Sequence, residues 1–180
     1  MKMTNKEIEI QLSYKDKSRV ISILKKQKAK RVDEFVLVDK YYGINNVDMN
    51  NKKNPLLRIR KKGKNAEFTY KGIIESKDDI WERTELNVKI NDPEILEKIL
   101  IALEYKIVSY NESTREVWSL KRTKLFFTKF VKPAVFEFLE IEGKTRKDID
   151  DILKILGPEV KALDKNSFSK LDSARNKKSN

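Results

Sequence analysis

Four carboxylates stand in two pairs near opposite ends of the chain, each pair at a spacing of two. Glu7 and Glu9 lie in Glu7-Ile8-Glu9-Ile10-Gln11, and Glu140 and Glu142 in Phe136-Glu137-Phe138-Leu139-Glu140-Ile141-Glu142. Between them cations recur at the same spacing: Arg58 and Arg60 in Leu57-Arg58-Ile59-Arg60, Lys71 in Thr69-Tyr70-Lys71, and Arg83 beside Glu85 in Trp81-Glu82-Arg83-Thr84-Glu85. Successive side chains of a strand point to opposite faces, so this spacing gathers each set on one face and leaves Ile8, Ile10 and Leu12 on the other. One such strand is an ordinary amphipathic edge with wet carboxylates. Five of them describe a polar interior. Parity places Glu7, Glu9, Gln11, Arg58, Arg60, Lys71, Arg83, Glu85, Arg115, Glu140 and Glu142 inside it.

Burying these groups as unpaired charges would be prohibitive. A water-filled tunnel whose opposite charges are bridged by a ligand removes the difficulty. In that setting carboxylates suit a hard divalent cation, while Arg and Lys clamp phosphate oxygens. A polyphosphate carrying Mg²⁺ or Mn²⁺ meets both demands. The chain has no nucleotide-binding glycine loop, so side chains must hold the phosphates.

Composition narrows the chemistry further. The 180 residues fit one domain, expected over 1–175 with a frayed tail at 176–180. There is no Cys, hence no disulfide, thiol nucleophile or thiolate metal site. There is no His, which removes imidazole bases and ligands and favours Mg²⁺, Mn²⁺ or Ca²⁺ over Zn²⁺. No apolar run is long enough to span a bilayer and the N-terminus lacks a signal-peptide core, so a cytoplasmic protein without a membrane partner is expected. The net charge of +12 points to a polyanionic partner.

The elements that must position these residues alternate between strand and helix patterns. After the first strand, Asp16 caps a helix running to about Ala29. Residues 31–42 read as a β-branched and aromatic strand, and the Asn- and Lys-rich tract from Gly43 to Asn54 as a long loop. Strands at 56–62 and 66–73 are joined by Lys62-Gly63-Lys64-Asn65, a hairpin connection. Residues 74–79 read as charged loop and 80–90 as strand. Asp92-Pro93-Glu94 starts a helix whose buried side carries Ile95, Leu96, Ile99, Leu100 and Leu103. A hairpin over 106–118 and 121–131 turns near Ser119-Leu120, and the acidic strand at 135–142 follows. Thr145 with Asp148 opens a helix that ends at Gly157-Pro158, and a last short helix is expected near Asn166 or Ser167. The fold class is α+β: a closed antiparallel eight-stranded β-tunnel with flanking helices.

From Lys6 to about Leu171 this order of motifs resembles the CYTH proteins, also called triphosphate tunnel metalloenzymes. The opening Glu7-Ile8-Glu9-Ile10-Gln11 is similar to that family's Glu-x-Glu-x-Lys. Asp39-Lys40-Tyr41-Tyr42, Leu57-Arg58-Ile59-Arg60, Thr69-Tyr70-Lys71-Gly72, Arg83-Thr84-Glu85, Thr114-Arg115-Glu116-Val117-Trp118 and Phe138-Leu139-Glu140-Ile141-Glu142 resemble its later features, as does Ser167-Phe168 near the end. The look is nearest to the class IV adenylyl cyclase-like branch. The resemblance implies that Glu7, Glu9, Glu140 and Glu142 hold Mg²⁺ or Mn²⁺ with Glu85 assisting, and that Arg58, Arg60, Lys71, Arg83 and Arg115 hold phosphate. Gln11 stands where the family has Lys, Ser113 where a Lys is common, and Lys129 in a segment that often carries an acid. Gln11 and Lys129 join the phosphate-binding set, with Lys129 the cation able to replace the one missing at Gln11.

Two reactions fit such a site. ATP would be converted to cyclic AMP and pyrophosphate, or the terminal phosphate of an inorganic, thiamine or nucleoside triphosphate would be hydrolysed, with Glu85 as the candidate catalytic base. A non-catalytic triphosphate binder is the next reading. A nucleic-acid module using Tyr70, Trp81, Trp118 and Phe126 ranks last. A homodimer is one expected assembly.

Overall fold

The computed structural model describes residues 6–44, 54–77 and 79–163. Ten strands and three α-helices are formed among them. The strands are β1 (Lys6–Tyr14), β2 (Lys30–Gly43), β3 (Leu56–Lys62), β4 (Asn65–Lys71), β5 (Glu75–Lys77), β6 (Ile80–Ile90), β7 (Lys106–Leu120), β8 (Thr123–Lys132), β9 (Phe136–Gly143) and β10 (Val160–Ala162). The helices are α1 (Lys17–Lys26), α2 (Pro93–Ala102) and α3 (Arg146–Leu156). Eight strands run in the order β1-β9-β8-β7-β2-β3-β4-β6, and pairing of β6 back onto β1 closes the ring. All pairs are antiparallel. The two short strands are additions: β5 extends the edge of β6 beyond the end of β4, and β10 pairs with the last residues of β1.

Local chemistry sets the boundaries. Asp16 caps α1, its Oδ1 accepting from the Ser18 N–H at 2.7 Å. Asp92 caps α2 by accepting from the Ile95 N–H at 2.9 Å, with Pro93 at the first helical position. Thr145 and Asp148 form a reciprocal capping box at the start of α3. Gly63 opens the two-residue loop between β3 and β4 at φ +57°, a conformation that costs glycine little.

The outer face of β1, β8 and β9 is apolar and dry. Ile10, Leu12, Leu125, Phe127, Leu139 and Ile141 pack against Val20 and Leu24 of α1 and Ile149, Ile152 and Leu156 of α3. A smaller cluster of Tyr42, Ile59 and Leu100 lies under α2. Among the described residues no helix is long and apolar enough to cross a membrane.

The structure corrects several expectations. Residues 75–77 pair with β6 as a short strand where charged loop is expected. The hairpin between β7 and β8 turns at Lys121-Arg122, with Lys121 at φ +54°, and no glycine signals it. Helix α2 shows the largest difference. Only Leu96 and Leu100 of the expected set face the barrel, while Ile95, Ile99 and Leu103 are exposed. Glu97 instead lies on the side facing β2, where Lys40 Nζ is 2.8 and 2.6 Å from its two carboxylate oxygens. The helix expected near Asn166, the Ser167-Phe168 pair and the tail lie outside the described residues.

Candidate functional site

Register fixes the depth of each inward side chain. Following the ring from Glu9, each strand pairs with the next, and closure adds a stagger of one inward position per strand. Glu9 pairs with Glu142, and the next inward position on β9 is Glu140; Glu140 pairs with Phe126, and the next on β8 is Thr128. Continuing through Ser113, Asp39, Arg58, Lys71 and Arg83, the path returns through Glu7 to Glu9. Glu9, Glu140, Thr128, Ser113, Asp39, Arg58, Lys71 and Arg83 therefore form one belt at mid-depth. All but Arg83 are buried, and none is apolar. The register partners form a second belt on the side of the β1 N-terminus: Glu7, Glu142, Phe126, Arg115, Leu37, Arg60, Thr69 and Glu85.

The four carboxylates Glu7, Glu9, Glu140 and Glu142 come from β1 and β9, and the cations from β3, β4, β6 and β7, where Asp39 and Glu85 stand among them as ion-pair partners of Arg60 and of Lys71 and Arg83. Oxygens of Glu7, Glu9 and Glu142 converge within 4.8 Å of one another. Burial, then the neighbouring Glu9 charge and a hydrogen bond with Glu85, push Glu7 up to about 10. Burial and the charges of Glu140 and Glu9 raise Glu142 to about 7. Burial and Glu140 raise Glu9 as well. Crowded carboxylates that hold protons this strongly mark a place where a cation would relieve repulsion, and an all-oxygen donor set suits a hard divalent ion.

Glu140 behaves differently. Burial acts to raise it, but Arg115, Lys71 and the Gln11 hydrogen bond outweigh burial and hold it below the usual carboxylate range. Arg115 Nη1 and Gln11 Nε2 each lie 3.2 Å from one of its oxygens. Of the four carboxylates expected to hold metal, three converge and Glu140 faces a cation instead.

Glu85 is ion-paired with Lys71 and approached by Arg83 Nε at 2.8 Å. Burial alone would raise it, but Lys71, a hydrogen bond with Glu7 and Arg83 keep it far below the ordinary range. A carboxylate so paired is a weak base and a good anchor for the two cations. Burial and the adjacent Arg58 and Arg83 lower Lys71 to about 8. On the facing wall Asp39 grips Arg60 in a two-pronged pair, Nε–Oδ1 and Nη2–Oδ2 both 2.7 Å.

Several donors in these belts lack an acceptor. The Nε–H groups of Arg58 and Arg115 and the Thr128 hydroxyl are buried without hydrogen-bond partners, and Arg83 Nε meets Glu85 without hydrogen-bond alignment. Buried polar groups are rarely left so, and cationic donors facing inward call for an anion.

Lys129 does not join them. It pairs with Glu137 at 3.0 Å on the outer surface, its side chain 51% exposed. Alternation explains why: Thr128 and Phe130 point inward, so the residue between them points out. Conversely, sequence reasoning gave no role to Asp39, Thr128 or Asn111, all buried in the barrel. For Asn111 the signal was alternation in Ser109-x-Asn111-x-Ser113-x-Arg115, which small polar residues share with any solvated strand.

The profile of the CYTH domain matches residues 5–175. A candidate adenylate cyclase of Methanocaldococcus jannaschii is 31% identical over 165 residues, which is 91% of this chain and 91% of that protein. Among solved structures, a Pyrococcus horikoshii protein superposes with a TM-score of 0.70 at 23% identity, covering 86% of this chain and 94% of its own. A Hippeastrum protein, described as a candidate adenylyl cyclase with a dominant triphosphatase activity, superposes with a TM-score of 0.67 at 12% identity over 93% and 95% of the two chains. At those identities the two structures speak to the fold alone.

Proposed function

The chain belongs to the CYTH domain family, and from that premise we propose that it is a divalent-metal-dependent enzyme acting on a triphosphate held across the two charged belts, with ATP converted to cyclic AMP and pyrophosphate. One observation carries this reading: the buried Nε–H donors of Arg58 and Arg115 have no acceptor, and they share the barrel with a carboxylate trio crowded enough to want a cation. A metal-bound triphosphate satisfies both at once.

Glu7, Glu9 and Glu142 would hold Mg²⁺ or Mn²⁺, which supplies charge neutralisation and Lewis acidity at the phosphoryl oxygens. The chain's own cations do the rest. Arg58, Arg83 and Arg115 would donate to non-bridging oxygens, and Lys71 adds a compact charge from the same side. Arg60 is held rigid by Asp39, so its position costs no reorganisation when charge develops. Glu85 serves as a positioning residue for Lys71 and Arg83. In cyclisation the ribose 3′-hydroxyl attacks the α-phosphorus, the bond to the β-phosphate oxygen breaks, and pyrophosphate departs with the hydroxyl proton, its remaining charge met by these guanidinium groups.

Hydrolysis of the terminal phosphate is the second reading. The same guanidinium groups and carboxylate trio would serve it equally well. The test is to incubate purified protein with ATP and, separately, inorganic triphosphate in Mg²⁺ or Mn²⁺ and to separate the products. Cyclic AMP with pyrophosphate supports the first reading and orthophosphate the second. Tight binding without turnover of either would leave a non-catalytic binder and overturn both.

A further inference from the structure

Moving one inward position from the mid-depth belt toward the β1 C-terminus gives a third belt: Gln11, Phe138, Phe130, Asn111, Tyr41, Leu56 and Trp81. Strand β4 has ended by this depth. Five of these seven residues are apolar or aromatic, where the mid-depth belt has none. The rings gather: Phe130 and Phe138 lie with centroids 5.7 Å apart, and Phe136, one position further out, stacks on Phe138 at 5.8 Å. Tyr41 pairs in register with Arg58, so it borders the phosphate-binding region directly. Trp81 pairs in register with Glu9 of the carboxylate trio.

Gln11 adds a polar edge. Its Nε2 donates to a Glu140 oxygen at 3.2 Å. Ionised Glu140 only accepts, so the amide must present its nitrogen there, and this fixes the carbonyl Oε1 as an acceptor. That oxygen is buried and has no donor.

We propose that this aromatic collar binds the organic part of the substrate, a planar amino-bearing heteroaromatic base, with its amino group donating to Gln11 Oε1 and its triphosphate running into the charged belts. The assignment rests on the triphosphate reading above and deepens it: the preferred substrate is a nucleoside triphosphate, not inorganic triphosphate. Stacking tolerates many ring types because every base offers a π-face, so the collar supplies affinity and Gln11 supplies choice.

The experiment is calorimetric titration of the intact protein in Mg²⁺ with ATP, inosine triphosphate and inorganic triphosphate, repeated for Phe130→Ala. Losing one stacking partner weakens ATP binding roughly tenfold and leaves inorganic triphosphate within about twofold. ATP also binds more tightly than inosine triphosphate, which carries an oxo group where ATP has its amino group. Equal loss for ATP and inorganic triphosphate, no loss for either, or equal affinity for ATP and inosine triphosphate overturns the proposal. Tryptophan fluorescence of the unsubstituted protein gives a second check that needs no variant. Trp118 is packed in the core beside α1, so quenching by ATP and not by inorganic triphosphate reports Trp81. Identical responses to both ligands count against the collar. Failure of both ATP and inorganic triphosphate to bind would instead remove the triphosphate reading on which the collar depends.

Discussion

The two faces of β1, β8 and β9 belong to the same residues' backbone and obey opposite rules. Outward, Ile10, Leu12, Leu125, Phe127, Leu139 and Ile141 interlock with α1 and α3, and every one is buried in a dry layer. Inward, Glu9, Gln11, Glu140, Glu142 and Thr128 stand among charges, and Gln11 Oε1 and the Thr128 hydroxyl are left without partners. The difference teaches where stability and function reside. Packed apolar area stabilises the protein without a ligand. Crowded carboxylates and orphaned donors cost stability until a ligand satisfies them. Substitutions on the two faces should therefore differ in sign as well as size.

The largest effect is expected outside. Leu139→Ala removes a fully buried side chain from the layer under the helices and should lower stability by about 2–5 kcal/mol, measured by denaturant unfolding. A loss below about 1 kcal/mol would mean that the outer layer is not the stabilising one.

Inside, Arg58→Ala should spare folding and weaken triphosphate binding by about 1.5–3 kcal/mol, a charged hydrogen bond's worth, read by titration. Unfolding of this variant instead would show that the inner face supports the structure much as the outer face does.

The pH dependence sharpens the contrast. Glu142 and Glu7 bind protons more strongly folded than unfolded, their values raised from 4.5 to about 7 and about 10. The folded state thus carries the extra protons. Metal-free stability from these groups is complete below about pH 4.5 and is lost as pH rises, first through 7 and then toward 10. The slope is at most about 1.4 kcal/mol per pH unit for each proton. Thermal melts should fall over that window, Glu142→Gln should flatten its lower part, and Mg²⁺ or Mn²⁺ should offset the loss in the parent protein alone. A melting temperature that rises from pH 5 to 8 would contradict the carboxylate trio.

The smallest effect belongs to a residue one step out of phase. Lys129→Ala should leave triphosphate affinity unchanged and alter stability by less than about 1 kcal/mol, since its partner Glu137 is itself exposed. A clear loss of affinity would place Lys129 in the substrate's path.

Much of this arrangement was legible in the sequence. Two-residue spacing of charged groups marked five of the eight barrel strands, and parity placed ten of the inward charged groups, because alternation is local and a strand cannot disguise it. Caps at Asp16, Asp92 and Thr145 placed the helix starts for the same reason. What failed was non-local. Lys129 is the exception: its outward parity is itself a local signal, and the substrate role assigned to it ran against that parity. The apolar stripe Ile95, Ile99 and Leu103 reads as a buried face, yet the side of α2 that meets the barrel carries Leu96, Leu100 and Glu97, the last paired with Lys40 on a strand 57 positions away. The convergence of Glu7, Glu9 and Glu142, and the turning of Glu140 toward Arg115, depend on stagger between strands, which no single stretch of sequence encodes.

Closure of the ring through β1 also governs how the protein is built in time. Strands β3 and β4, β7 and β8, and β8 and β9 join through short connections, but β1 must find β9 across a separation of 129 residues between Gln11 and Glu140. Closing so long a loop costs about 4 kcal/mol of chain entropy, and such contacts form slowly. The trio of carboxylates does not exist until β1 has docked beside β9. A divalent ion can then act only on the finished barrel: it should slow unfolding and leave the refolding rate unchanged, which stopped-flow kinetics with and without Mg²⁺ would reveal. The carboxylate trio and the seam where β1 joins β9 are the same place.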